Sequence, residues 1–194
     1  MKLLFIDTET TGLPKDYKAP ASKTDNWPRL VEIGYIMTDE NDNNPTRRNL
    51  IAKPDGFIIP TEASDVHGIV TKDALERGVH IRYILRELES YINQADIVIA
   101  HNYNFDSKII GAEYHRQGMP DPLDGKNAIC TCDNQTIVDY CALPGKWPGK
   151  FKWPKLKELF SRLYCYEFEE QHSALADIQA TADCYFELKK REVI

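Results

Sequence analysis

Apolar positions near the start of the chain fall in short unbroken runs. Lys2-Leu3-Leu4-Phe5-Ile6 has strand length. Leu30 to Met37 is rich in β-branched and aromatic residues, which predicts a second strand. Asn49 to Ala52 reads as part of a third. Between the first two, Pro14 to Pro28 carries prolines at 14, 20 and 28 among many polar residues, the composition of a loop. Asn41 to Pro45 predicts a turn. The period then changes. Ile81, Ile84, Leu85, Leu88, Tyr91 and Ile92 recur at spacings of three and four, which predicts an amphipathic helix over 80–93. Asp96 to Ala100 returns to a buried strand. Phe105, Ile109, Ala112 and His115 or Arg116 fit a helix over 104–117, stopped by Gly118 and Pro120. Pro154 stands where a helix can begin, ahead of Leu156, Leu159, Phe160 and Leu163. A last helix over 174–190 places Leu175, Ile178, Ala182, Tyr185 and Phe186 on one side. Strands first, then strands alternating with helices, predict an α/β layer architecture. The opening meander makes its sheet mixed rather than all parallel.

Composition narrows this picture. A chain of 194 residues suits one domain. With 42% hydrophobic and 28% charged residues, wholesale disorder is excluded. The longest apolar runs are far too short to span a membrane, and no signal-peptide core follows Met1-Lys2, so the expected location is the cytoplasm. Five cysteines, an odd number, argue against a disulfide framework. Cys130 and Cys132 have one residue between them, where zinc ligands usually have about two to four, so reduced, partly buried thiols are expected. The net charge of −6 argues against tight non-specific duplex binding. It does not exclude a nucleic-acid enzyme, because a metal site gathers carboxylates and bound divalent ions reverse the local field.

Candidate chemistry clusters at element ends. Asp7 and Glu9 close the first strand, and residues i and i+2 point to one face, roughly 6.5–7 Å apart along the backbone. Their carboxylates can converge on one hard cation. Taken alone, they also fit two exposed acids at a strand end. Asp106 falls in or beside the first turn of the helix after the 96–100 strand, where an acid also complements the helix dipole. Asp177 opens the last helix with His172 just upstream, a pattern that equally suits a capping acid and a surface histidine. Together, four carboxylates and one histidine form a specific combination. Oxygen-only ligands suit Mg²⁺ or Mn²⁺, two such ions promote phosphodiester hydrolysis, and a histidine beside them can serve as general base.

Asp-Thr-Glu-Thr-Thr-Gly at 7–12, His-Asn-Tyr-Asn-Phe-Asp at 101–106 and His-Ser-Ala-Leu-Ala-Asp at 172–177 resemble, in order and spacing, the three signature motifs of the DnaQ-like, DEDDh-type 3′–5′ exonucleases. Val66-His67-Gly68-Ile69 and Trp153-Pro154-Lys155-Leu156 add weaker similarity. The resemblance spans nearly the whole chain and implies a single exonuclease domain over 1–194 with an RNase H-like fold, a five-stranded mixed sheet flanked by helices. It implies that Asp7 bridges two metal ions, that Glu9 and Asp177 complete the site of the metal that activates the nucleophile, and that Asp106 supports the second, directly or through water. His172 would deprotonate the attacking water. The backbone of Thr8, Thr10 and Gly12, with Leu13, would hold the 3′-terminal nucleotide, with His67, Asn102 and Phe105 lining the same pocket.

The implied partner is the 3′ end of a single-stranded or frayed nucleic acid, DNA ahead of RNA, with no membrane. A DNA polymerase stays open as a protein partner, and a non-catalytic binding module is the reading of a different class. Two segments keep two readings each. Lys15 to Arg29, with Tyr17, Lys18, Lys23 and Trp27, is longer than the matching connection in many family members; it suits a surface excursion or a border of the substrate channel. Lys146 to Lys157 holds five lysines, two tryptophans and no acid. It suits a single-strand contact or a lysine-rich loop whose tryptophans pack on the core.

Overall fold

A central strand buried on both faces must be apolar throughout, and Leu3 to Ile6 meets that demand: all four are fully buried. The computed structural model describes residues 1–166 and 174–194. Its elements, in chain order, are β1 (Lys2–Thr10), β2 (Leu30–Asp39), β3 (Thr46–Ile51), α1 (Thr61–His67), α2 (Thr71–Arg77), α3 (Ile81–Gln94), β4 (Ile97–Ala100), α4 (Tyr103–Arg116), β5 (Ala128–Cys130), α5 (Gln135–Cys141), α6 (Leu156–Tyr164) and α7 (Ala174–Lys190). One five-stranded sheet has the order β3-β2-β1-β4-β5. β1 pairs antiparallel with β2, as β2 does with β3, whereas the β1–β4 and β4–β5 pairs are parallel. The mixed sheet expected from the opening meander is therefore present.

Strand alternation sorts the side chains of β1 onto two helical layers. Phe5 meets Tyr185 of α7 edge-on, with ring centroids 5.5 Å apart, so odd-numbered β1 residues face α7. Tyr35, opposite Ile6 in the β1–β2 register, packs its ring at a tilt against Tyr91 of α3, centroids 5.0 Å apart, so even-numbered residues face the α3–α4 layer. Ile84, Leu85, Leu88 and Ile92 of α3 are fully buried in this main core. A second apolar cluster ties α5 and α6 to α7 through Ile137, Leu159, Leu163, Cys184 and Leu188.

The 80–93, 104–117 and 174–190 helices lie within a residue of expectation. β1 runs on to Thr10 past Ile6, and the third strand starts at Thr46 rather than Asn49. α1, α2, α5 and β5 were not expected, because elements of seven and three residues are too short to establish a period. Leu175, expected on the buried side of α7, is 37% exposed; the buried stripe begins at Ala174 and continues through Ile178 and Thr181.

Candidate active site

The same alternation that aims Phe5 at α7 aims Asp7 and Glu9 there too. Asp177 lies in the first turn of α7. Carboxylate oxygens of Asp7, Glu9 and Asp177 lie within 4.8 Å of one another, a set of oxygen donors fit for a hard divalent cation.

Two residues of β2 let α7 come this close. Gly34 is the cross-strand partner of Asp7, and a Cβ built on it would lie 2.7 Å from the carbonyl oxygen of Ala174. The missing side chain is the space that the helix start occupies. Glu32, the partner of Glu9, is buried. Its Oε2 accepts a hydrogen bond from the Ala174 N–H at 3.1 Å and its Oε1 accepts one from Asn49 Nδ2 at 2.9 Å. The helix N-terminus, whose first N–H groups lack intrahelical acceptors, is thereby fastened to the middle of the sheet. Sequence reasoning missed Glu32; the signal was a lone acid inside the otherwise apolar Leu30–Met37 run.

Asp106 enters from the other layer. It is buried in the first turn of α4, and its Oδ1 accepts a 2.7 Å hydrogen bond from Thr8 Oγ1. Burial pushes its carboxyl up to about 7, while the Thr8 hydrogen bonds pull the other way. Glu9 is pushed up to about 8 by burial first, then by the charges of Asp177 and Glu32. Asp7 is held well above the usual carboxylate range by burial, then by Asp106, Glu9 and Asp177. Negative charge is thus crowded at one spot, and a bound cation would relieve it. The donor set and this crowding both fit a divalent metal.

Beside the carboxylates lies a cavity of about 550 Å³ lined by Thr8 to Leu13, Ala63, His67 and Phe105. Thr10 Oγ1 donates to the Gly12 carbonyl at 2.7 Å, and Gly12 has φ of 144°, a conformation that disfavours any side chain. Leu13, 75% exposed, stands over the opening. His67 is buried; its Nδ1 accepts from the Ile69 N–H, so the neutral ring carries its proton on Nε2. That nitrogen is buried, with the Thr10 backbone beside the ring. Phe105 is half-buried, packing on the core and lining the cavity at once.

Asn102 departs from expectation. It caps α4 in a left-handed conformation, φ 85°, and lines a neighbouring cavity of about 730 Å³. His172 lies outside the described residues. The 15–29 segment is partly core: Trp27 is buried and its Nε1 donates to the Pro20 carbonyl. Arg116 holds this segment by hydrogen bonds to the carbonyls of Thr24 and Trp27, both at 2.6 Å. Trp147 and Trp153 are both exposed, so of the two readings of 146–157 the one that packs its tryptophans on the core does not hold.

His101, the first residue of the second motif, links that segment to the site. Its Nε2 lies 3.1 Å from the Pro154 carbonyl and its Nδ1 2.9 Å from Thr131 Oγ1. A carbonyl can only accept, and burial lowers the ring to about 4. The ring is therefore neutral near pH 7, donating from Nε2 and accepting at Nδ1. The cysteines are free thiols, with Cys132, Cys141 and Cys184 buried and Cys165 exposed.

The chain matches a family model described as RNase T, exonuclease, over residues 4–185. It is 28% identical over 188 residues to an uncharacterized exonuclease, CP81, of Escherichia phage 186, covering 92% of this chain and 83% of that protein. It is 30% identical over 112 residues to the DNA polymerase III subunit epsilon of Treponema pallidum, covering 56% of this chain and 44% of that one. Among solved structures, E. coli Exonuclease I in complex with a dT13 oligonucleotide superposes with a TM-score of 0.75 at 20% identity, over 98% of this chain and 41% of that chain. The chain thus spans about four tenths of Exonuclease I. What the likeness shows is the fold, the RNase H-like arrangement. No helix among the described residues is long and apolar enough to cross a membrane.

Proposed function

Since the chain belongs to the RNase T exonuclease family of the DnaQ-like superfamily, we propose that it hydrolyses terminal phosphodiester bonds at the 3′ end of single-stranded or frayed DNA. The products are nucleoside 5′-monophosphates and a strand one residue shorter. The observation that carries this reading is the convergence of Asp7, Glu9 and Asp177 within 4.8 Å beside a cavity of nucleotide scale. Relatives named as DNA polymerase III proteins, and the oligonucleotide held by Exonuclease I, favour DNA.

Asp7, Glu9, Asp177 and Asp106 would hold two divalent cations, Mg²⁺ or Mn²⁺. When bound, these supply charge that acidifies the attacking water and stabilises the leaving oxygen. Asp7 and Glu9 present their oxygens from a rigid central strand, so the donor set is organised before substrate arrives. Thr8 keeps Asp106 oriented. The turn from Thr10 to Leu13, with His67 and Phe105, would hold the terminal nucleotide. His172 would take a proton from the water that attacks phosphorus; the P–O3′ bond breaks, and the departing 3′-oxygen is protonated by solvent.

The test is shortening of 5′-labelled single-stranded DNA and RNA of identical sequence, with Mg²⁺, Mn²⁺ or EDTA. The expected result is a metal-dependent ladder receding from the 3′ end, faster on DNA. His172→Ala should lower the rate by about 10²–10⁴-fold, and Asp7→Ala by more. A faster RNA ladder would assign the substrate to RNA. Near-normal rates in both variants would overturn the mechanism.

A further inference from the structure

Two segments far apart in sequence, 15–29 and 146–157, meet on one side of Asn102. Together with α4 they enclose the 730 Å³ cavity, lined by Tyr17, Lys18, Asn102, Asn104, Trp153 and Lys155. We propose that this cavity is a second nucleotide subsite. There the bases behind the 3′-terminal residue stack on Tyr17 and Trp153, and their phosphates approach Lys18 and Lys155. The inference rests on the exonuclease reading and deepens it, naming the wall that holds a single strand.

Four observations carry it. Tyr17 is 49% exposed and Trp153 61% exposed, so two large rings line one cavity while much of their surface stays in water. An aromatic face left wet beside lysines matches what sequence-tolerant binding of a single strand needs, since every base has a π-face and every linkage a negative charge. The cavity also adjoins the first one through a pair of rings. Tyr17 lies 6.5 Å from Phe105, ring to ring, and Phe105 lines the cavity beside the carboxylates. A strand leaving that cavity past Phe105 meets Tyr17 next.

Third, both walls are held in place. The 15–29 wall is tied through Arg116 and through Asn26, whose side chain bonds the Asp16 backbone at both N–H and carbonyl. The 153–156 wall hangs from His101 through the Pro154 carbonyl. Pre-formed walls reduce the ordering cost of binding. Fourth, the local charge opposes that of the whole molecule. The chain is −6 overall, yet 146–157 carries five lysines without an acid. Among the described residues, Asp133 is the one acidic side chain lining this cavity.

The test is binding of a dye-labelled thymidine homopolymer and of thymidine 5′-monophosphate to the full chain, with Ca²⁺ in place of Mg²⁺. Tyr17→Ala and Trp153→Ala should each weaken homopolymer binding by about tenfold. Binding of the monophosphate, which the first cavity accommodates by itself, should hold. Tyr17→Phe and Trp153→Phe should restore most of the homopolymer affinity, since a ring remains. Wild-type homopolymer affinity in both alanine variants, or equal loss for both ligands, would overturn the subsite, as would a wild-type chain that does not bind the homopolymer. A homopolymer that binds with the expected variant pattern but is not shortened in Mg²⁺ would support the subsite while removing the hydrolytic reading.

Discussion

Thr8 and Asp106 approach each other from opposite sides of a layer boundary, and a 2.7 Å hydrogen bond joins them. Thr8 points from β1 toward the α3–α4 layer, while its neighbours Asp7 and Glu9 point the other way. One strand therefore supplies two carboxylates and positions a third. Thr8→Val keeps the shape and removes the donor. Without it, the charged form of Asp106 loses support and its carboxyl rises further above about 7. Because a cation competes with a proton for Asp106, the expected outcome is roughly tenfold weaker Mg²⁺ binding near pH 7, with the acidic limb of the metal-binding profile displaced to higher pH. An unshifted limb would show that Thr8 does not control Asp106.

Raised carboxylates have a consequence for the metal-free protein. Glu9 at about 8 and Asp106 at about 7 bind protons more tightly folded than unfolded, where ordinary values are 4.5 and 3.8. Between pH 4 and 8 the folded state thus carries more protons, so stability falls as pH rises. In EDTA, the melting temperature should drop across that window by about 5 °C or more, and Mg²⁺ or Mn²⁺ at pH 8 should recover it. A melting temperature flat across the window would remove this electrostatic account.

Gly34 lies opposite Asp7 and under the start of α7. Gly34→Ala would place a methyl 2.7 Å from a backbone oxygen, which cannot move without moving the helix. The cost should be about 1–3 kcal/mol in chemical denaturation. Metal affinity should fall as well, because Asp177 rides on the displaced turn. Unchanged stability would mean that α7 has slack at its N-terminus.

Glu113 is buried, with its side chain 1% exposed. It accepts from Arg29 Nε at 2.8 Å, Arg116 Nη1 at 2.7 Å and the Leu30 N–H at 3.1 Å. Glu113→Ala would leave two guanidinium groups without their shared counter-charge. The expected loss is about 3–5 kcal/mol, with faster proteolysis in 15–29, whose carbonyls Arg116 holds. Resistance to protease equal to wild type would assign the order of that segment to Trp27 and Asn26.

Legibility in the sequence followed element length and locality. β1 was readable from its unbroken apolar run, and α3, α4 and α7 because each carries its own apolar period. Asp7, Glu9, Asp106 and Asp177 were readable because each sits at an element end in a motif. Glu32 was not, since a single acid in a strand does not reveal which side it faces until the register with Glu9 is known. The cavity wall of Tyr17 and Trp153 was not, because no local pattern relates positions so far apart. Asn102 lines the neighbouring cavity instead of the expected pocket, and no apolar period reports the left-handed backbone it adopts at the start of α4.

The carboxylates that converge come from the first strand and the last helix of the fold, and α4 brings the fourth from the middle. A chain emerging residue by residue therefore carries Asp7 and Glu9 long before Asp177 exists to meet them. Any product ending before Ala174 carries the sequence of every strand and lacks one of the three converging donors. Assembly of the site coincides with the docking of α7 onto Gly34 and Glu32. Cutting power, on this reading, arrives only once α7 has been made, and a copy that stops short of it lacks both the third donor and the helix that covers one face of β1.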